Sequence, residues 1–276
     1  MFQKIILLLT LSLLLFSCGN EKPTKEGTTD KMAKHADDES FESKHETPEK
    51  INFTPKGEMI KIPVAVGDQG NAYSIKATTP TNNYLFVIHE WYGLNDHIKK
   101  EAERLHEELG NVNVLALDLY DGKVADNPKD ASKYMKASTE ERSKAIINGA
   151  LKLAGSDAKV GTIGWCFGGG WSLRSSIMAG KQGAGCVIYY GMPVENAKEL
   201  LDLNADVLGI FGEKDKWINP NVVNNFDALM KATDKNFTFK QFDADHAFAN
   251  PSSPRYLEAA AQEANAMVLA FLKEHF

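Results

Sequence analysis

The sequence predicts an α/β domain in three layers, a mostly parallel central sheet with helices on both faces. Three observations carry that expectation. Short apolar runs alternate with helix-period segments from Leu85 to the C-terminus. Leu85-Phe86-Val87-Ile88 is apolar throughout, as a strand buried on both faces is. Strands that alternate with helices need crossovers of one hand, which set successive strands parallel.

Met59–Val66 and Ala72–Thr79 predict two strands joined by the turn Gly67-Asp68-Gln69-Gly70, an opening hairpin. Leu85–Ile88 is the first buried strand. Ile98, Ala102, Leu105 and Leu109 recur at helical spacing, and Val112–Leu117 is the next strand. Pro128–Leu153 reads as a long helical stretch with a break near Ser138. Val160–Gly164 is a strand, Phe167–Ala179 a helix, and Ala184–Tyr190 and Val207–Phe211 are strands. Pro220–Lys231 is helical, Phe237–Phe242 a strand, and Tyr256–Lys273 a closing amphipathic helix.

Composition narrows the function classes. In 276 residues, 43% hydrophobic and 25% charged, there is enough apolar material for a sizeable core. The balance of 31 basic against 37 acidic residues, net −6, argues against a nucleic-acid partner. Three cysteines cannot form a disulfide framework, and none pair at zinc-site or Cys-x-x-Cys spacing. No repeat of useful period is present.

The N-terminus reads as an address. Lys4 precedes an apolar run, Ile5–Phe16, broken only by Thr10 and Ser12 and too short for a durable membrane span. Its end, Leu15-Phe16-Ser17-Cys18-Gly19, resembles a bacterial lipoprotein signal. That resemblance implies a signal peptide over 1–17, lipidation of Cys18, and an exported protein of the cell envelope held to a membrane by the lipid alone. From Gly19 to about Asn52, Met32, Phe41 and Ile51 are nearly the only large apolar side chains, which predicts a disordered tether over 18–52. His35 and His45 fall within it, isolated in a solvated tract and unpromising as a metal site. The folded domain is then 53–276.

In open α/β sheets chemistry gathers at the carboxyl ends of the strands. Cys166 stands between a strand and a helix in Gly164-Trp165-Cys166-Phe167-Gly168-Gly169-Gly170. Flanking glycines permit a sharp strand-to-helix turn that lifts the middle side chain to the sheet edge, a nucleophile elbow with cysteine in place of serine. The helix N-terminus favours an anion there, and the backbone N–H of Phe167 is an oxyanion donor. The segment has neither Gly-x-Gly-x-x-Gly nor a Gly-Lys-Ser/Thr ending, so a phosphate cradle is not indicated. Cys186, inside a strand, suits an inert core thiol. After strand 207–211, Gly212-Glu213-Lys214-Asp215 supplies an acid to orient a histidine, Asp215 or else Glu213. His246 lies just past the last strand, and His97 and His106 read as surface residues of the first helix.

With these motifs in order, the sequence resembles the dienelactone hydrolase family, cysteine-dependent members of the α/β-hydrolase fold. Gly-x-Cys-x-Gly-Gly at 164–169, Gly-x-x-Asp at 212–215, Asp-His-x-Phe at 245–248 and Glu90-Trp91-Tyr92-Gly93-Leu94-Asn95 carry the resemblance from about Met59 to Leu272. It implies a triad of Cys166, Asp215 and His246. It also implies a Glu90 that contacts the cysteine and helps generate the thiolate, with the backbone N–H of Trp91 as second oxyanion donor. Family members that hold a carboxylated lactone use arginines just after the Asp-Leu-Tyr and four residues past the histidine. Here Asp118-Leu119-Tyr120 runs into Asp121-Gly122-Lys123, and Asn250 takes the other place. Tyr120, Lys123 and Arg255 are the remaining candidates to meet substrate.

The expectation is a carboxylic ester hydrolase that cleaves a small ester or lactone through a thioester at Cys166, with no metal or organic cofactor, most simply a monomer. The alternative is a non-catalytic binding lipoprotein on a hydrolase scaffold. A thiol redox role finds no resolving cysteine near Cys166 in sequence.

Overall fold

The computed structural model describes residues 45–65 and 67–276, together with Met32 and residues 38–43 of the preceding segment. The signal run 1–17 and Cys18 lie outside the described residues. So do His35 and most of the remaining stretch before residue 38.

Eight strands form one sheet in the order β1-β2-β4-β3-β5-β6-β7-β8. The opening hairpin is β1 (Glu58–Ile62) against β2 (Gly70–Ile75), antiparallel, with Glu58 opposite Ser74. β2 also runs antiparallel to β4 (Asn113–Asp118). Beyond it β3 (Asn83–Ile88), β5 (Lys159–Trp165), β6 (Gly183–Tyr189), β7 (Asp206–Gly212) and β8 (Phe237–Phe242) are all parallel to their neighbours. β1 stops at Ile62, short of the expected Val66. Pro63 follows, and without an N–H it cannot donate to the ladder.

Helices close where the sequence supplies caps. Asn95 accepts from Ile98 N at the start of α2 (Asp96–Leu109). The expected break near Ser138 is real. α3 (Pro128–Ala137) ends there, and Thr139 caps α4 (Glu140–Ala154) by accepting from Arg142 N. α5 (Phe167–Ala179) is buried over most of its length, and its Gly- and Ser-rich sequence lets it lie close over β3, β5 and β6. α6 (Pro220–Ala232) follows β7, and α7 (Glu258–His275) closes the chain beside α2 and over β6 and β7.

One part of the chain departs from the tether expected over 18–52. Glu39–Ser43 forms a short helix, α1, and Phe41 and His45 are buried against the domain. Phe41 packs on Trp91 and Trp217, with ring centroids 4.7 and 4.9 Å away. Tyr92 Oη donates to His45 O at 2.6 Å, and His97 Nε2 pairs with Glu49 O at 2.8 Å. Full burial of one phenylalanine contributes about 1.5–3 kcal/mol, which offsets part of an ordering cost of about 1–2 kcal/mol per residue, and the Tyr92 and His97 contacts add to it. Composition over thirty residues averages away such a single anchor.

Candidate active site

Cys166, Asp215, His246 and the Glu90-Trp91 pair all follow parallel strands at their carboxyl ends, on β5, β7, β8 and β3. Because those strands are near neighbours in the sheet, loops far apart in sequence meet at one edge.

The turn at Cys166 is sharp. Its φ is +53° and ψ −118°, a conformation that L-residues rarely adopt and that functional turns retain. Glycine is required on both sides. A Cβ on Gly164 would sit 2.1 Å from Gly168 O, and one on Gly168 would sit 2.2 Å from Ile88 O. The thiol is thus held at the N-terminus of α5, 2% exposed. Cys186, by contrast, lies within β6 beside Ser172, and burial pushes its thiol up to about 11. It remains an inert core residue.

Asp215 and His246 are both buried. Asp215 Oδ2 lies 2.6 Å from His246 Nδ1, while Oδ1 accepts from the backbone N–H groups of Trp217 at 2.8 Å and Ile218 at 3.0 Å. Burial alone would lower the pKa of His246, but the charge of Asp215 and then Cys166 outweigh it and hold the imidazole well above its ordinary value. Burial would raise Asp215, and the charge and hydrogen bond of His246 bring it below the usual carboxylate value. A carboxylate acceptor at Nδ1 fixes the tautomer and leaves Nε2 towards Cys166. Glu213, the alternative acid, is exposed and its backbone N–H goes to Phe242 O.

Glu90 accepts from Tyr190 Oη at 3.4 Å and from the side-chain amide of Asn250. Burial pushes its carboxyl up to about 7, with His246 and these two donors opposing. It therefore holds a proton near neutrality. Glu90 and Cys166 both line a small cavity of about 30 Å³, together with His45, Glu46 and Pro48. A larger space of about 580 Å³ adjoins it across Glu90, Tyr92 and Asn250 and reaches Trp165, Tyr256 and Asn265.

Residues 71–276 match the dienelactone hydrolase family. The chain belongs to that family. Protein usf of Aquifex pyrophilus is 31% identical over 204 residues, 69% of this chain and 87% of that protein. Carboxymethylenebutenolidase 1 of Cupriavidus pinatubonensis is 26% identical over 230 residues, 77% of this chain and 95% of that one. Two solved structures share the fold. A dienelactone hydrolase-like promiscuous phosphotriesterase from metagenomic libraries superposes with a TM-score of 0.67 at 19% identity, over 80% of this chain and 99% of that. A dienelactone hydrolase of Anabaena variabilis gives 0.57 at 15% identity, over 81% and 100%. The fold is an α/β-hydrolase fold and the chain is an ester-cleaving hydrolase at the level of its family.

For a dienelactone hydrolase family member, the substrate candidates fall unevenly. Tyr120 is buried against His89 and Phe167, with ring centroids 4.6 and 5.3 Å away, and lines neither cavity. Lys123 is exposed, with Nζ over the Tyr134 ring at 5.7 Å, and is likewise outside both. Arg255 does line the small cavity, its Nε donating to His246 O at 2.8 Å. Neither Tyr120 nor Lys123 meets the thiol, because the loop after β4 turns away under Asp118, which accepts from Tyr120 N at 3.0 Å and also from Gly122 N.

Sequence reasoning missed Phe41, His45 and Tyr190. His45 lies 5.1 Å from Trp91, near-parallel, and 5.6 Å from the His246 ring. Burial and the charge of His246 push it down to about 3, so it is neutral. Only the i, i+4 spacing of Phe41 and His45, one aromatic face on a helical turn, marks them in sequence.

Proposed function

We propose that this protein hydrolyses a small neutral ester or lactone through a thioester on Cys166. The observation that carries the reading is the 2.6 Å contact of Asp215 Oδ2 with His246 Nδ1, which turns Nε2 towards the thiol at the elbow. In the first half-reaction His246 Nε2 takes the Sγ proton and the thiolate attacks the carbonyl carbon. The oxyanion is received by the backbone N–H groups of Phe167 and Trp91. Collapse expels the alkoxide, which takes the proton from His246 and leaves the acyl group on sulfur. Water then attacks the thioester with His246 as base, the acid departs, and the thiol is restored. Glu90, whose carboxyl burial pushes up to about 7, keeps its proton near neutrality and so places no full negative charge beside the forming thiolate.

Neutral substrates are favoured because Asn250 holds Glu90 where a carboxylate-binding arginine was sought, and Lys123 faces solvent. We propose further that the chain is exported and anchored through a lipid on Cys18, supported by the Leu15–Gly19 boundary after a short apolar run.

A short-chain chromogenic ester tests the reaction. Cys166→Ala and His246→Ala should each lower kcat/KM by on the order of 10³-fold, and their combination should cost little more, since such residues act as a unit. Additive losses contradict a shared mechanism. Thiol–disulfide exchange without ester turnover, or ligand binding without either, returns the redox or binding-protein alternative. Cys18→Ala should shift full-length protein from the membrane fraction or block its processing. Identical soluble fractionation of both forms contradicts the anchor.

A further inference from the structure

His45, Cys166 and His246 bring one ligand atom each to within 4.8 Å of one another, all three side chains buried. Hydrolysis uses only two of them. The third comes from the strap ahead of the domain, and its chemistry matches the other two.

Both imidazoles are set in the same way. His246 Nδ1 is engaged by Asp215 Oδ2 at 2.6 Å, and His45 Nδ1 donates to Phe41 O at 2.7 Å. In each case Nδ1 is fixed and Nε2 faces the shared space; the His45 Nε2 lone pair is free, and His246 Nε2 shares with Cys166 the one proton that an ion would displace. Neither Nε2 finds a hydrogen-bond partner in any other described residue beyond the thiol that His246 faces. A ring nitrogen tied to a carboxylate or a backbone carbonyl, with the opposite nitrogen directed into a shared space, is the arrangement that orients metal-ligating histidines. The space beside Cys166 and His45 is small, about 30 Å³.

We propose that His45 Nε2, His246 Nε2 and Cys166 Sγ form a three-ligand zinc(II) site that blocks the nucleophile and fastens the strap over it. Two imidazoles and a thiolate are borderline-to-soft donors, which favour zinc over magnesium or calcium. Zinc bonds of about 2.0 Å to nitrogen and 2.3 Å to sulfur place tetrahedral ligand atoms roughly 3.3–3.6 Å apart. The 4.8 Å limit therefore leaves a small inward movement of the ligand atoms. On binding, the Cys166 thiol releases its proton to solvent and forms the Zn–S bond. The fourth position stays open to water. The bound ion thereby withdraws both the attacking sulfur and the general base from ester chemistry. Removal of the ion restores them.

Cobalt(II) titration of the reduced full-length chain tests this without recourse to turnover, so its outcome is separable from that of the hydrolase reading. One cobalt per chain is expected, with the absorption of a tetrahedral cobalt–thiolate centre, displaced by zinc. Cys166→Ser should abolish the sulfur band, and His45→Ala should weaken binding at least tenfold. Phe41→Ala keeps every ligand but loosens the strap, and should also weaken it. Thermal melting of each variant confirms that the domain is folded. No sulfur band in the native chain, or unchanged affinity in both His45→Ala and Phe41→Ala, overturns the proposal.

Discussion

Asn250 donates its side-chain amide to Oε2 of Glu90, so the residue standing where an arginine was sought holds a catalytic-edge carboxyl instead of a substrate. Tyr190 Oη approaches the other oxygen, 3.4 Å from Oε1. Neither donor overcomes burial, and Glu90 stays protonated towards neutral pH.

That protonation predicts how stability varies with pH. An acid raised from 4.5 to about 7 is protonated in the folded state while ionised in the unfolded chain. The folded state then binds more protons, and stability falls as pH rises through that window. The full shift is worth at most about 3 kcal/mol, less because Glu90 keeps a partly accessible face. His246, raised above 6.5, acts in the same direction at higher pH, its contribution fully present below 6.5 and lost as pH climbs. His45, pushed down to about 3, acts in the opposite direction below 6.5, so the Glu90 contribution is read as a difference: the margin of melting temperature of the native chain over Glu90→Gln should shrink as pH rises from 4.5 to 7. A margin that grows over that stretch contradicts the assignment.

The proposed mechanism gives the acid's role to Asp215. Asp215→Asn should lower kcat/KM on the order of 10³-fold with the fold intact, because the amide no longer favours the required tautomer of His246. Glu213→Gln, at an exposed position, should stay within about twofold of the native rate, an effect of under 0.5 kcal/mol. Kinetics on the same ester decide it. The reverse ranking moves the role to Glu213.

Cys166, His246 and the succession of strands and helices along the chain were legible in sequence because local chemistry dictates them. Glycines at 164 and 168 are forced by backbone contacts of 2.1 and 2.2 Å, so the elbow announces itself. The strand-end position alone leaves Asp215 and Glu213 open, and the sequence ranks Asp215 first by its family motif. Both follow the same strand, and burial then separates them. His45 was invisible for another reason. It is polar and sits in a polar tract, and its place depends on Phe41 docking against Trp91 and Trp217, both distant in sequence. Lys123, out of register with the family arginine, is exposed over the Tyr134 ring, a placement set by the loop that Asp118 ties down and not by any local pattern.

Specificity should follow the cations. With Lys123 in solvent and Asn250 committed to Glu90, a carboxylated lactone gains no fixed partner except Arg255 on the small cavity. Neutral esters or lactones should be turned over at least as well as carboxylated ones. A preference above roughly 100-fold for the carboxylated form, about 2.7 kcal/mol, contradicts this. Any lesser preference should vanish in Arg255→Ala and survive Lys123→Ala.

The strap should limit access. Cys166 lines the 30 Å³ cavity together with His45, Glu46 and Pro48 of the strap. Deleting residues 1–47 should lower thermal stability, since Phe41 burial contributes about 1.5–3 kcal/mol. It should also raise kcat/KM for bulky esters, roughly tenfold if displacing the strap costs about 1.4 kcal/mol. Equal rates in metal-free buffer for the full and shortened chains would mean that the strap does not obstruct the site.

The most direct measurement is the mass of the acyl-enzyme. Acid-quenched steady-state mixtures with a short-chain activated ester, digested and analysed by mass spectrometry, should carry one acyl group on the peptide containing Cys166. Hydroxylamine should remove it, as it removes a thioester, and His246→Ala should accumulate less of it. An acyl group found elsewhere, or native turnover rates in Cys166→Ala, would contradict catalysis through this thiol.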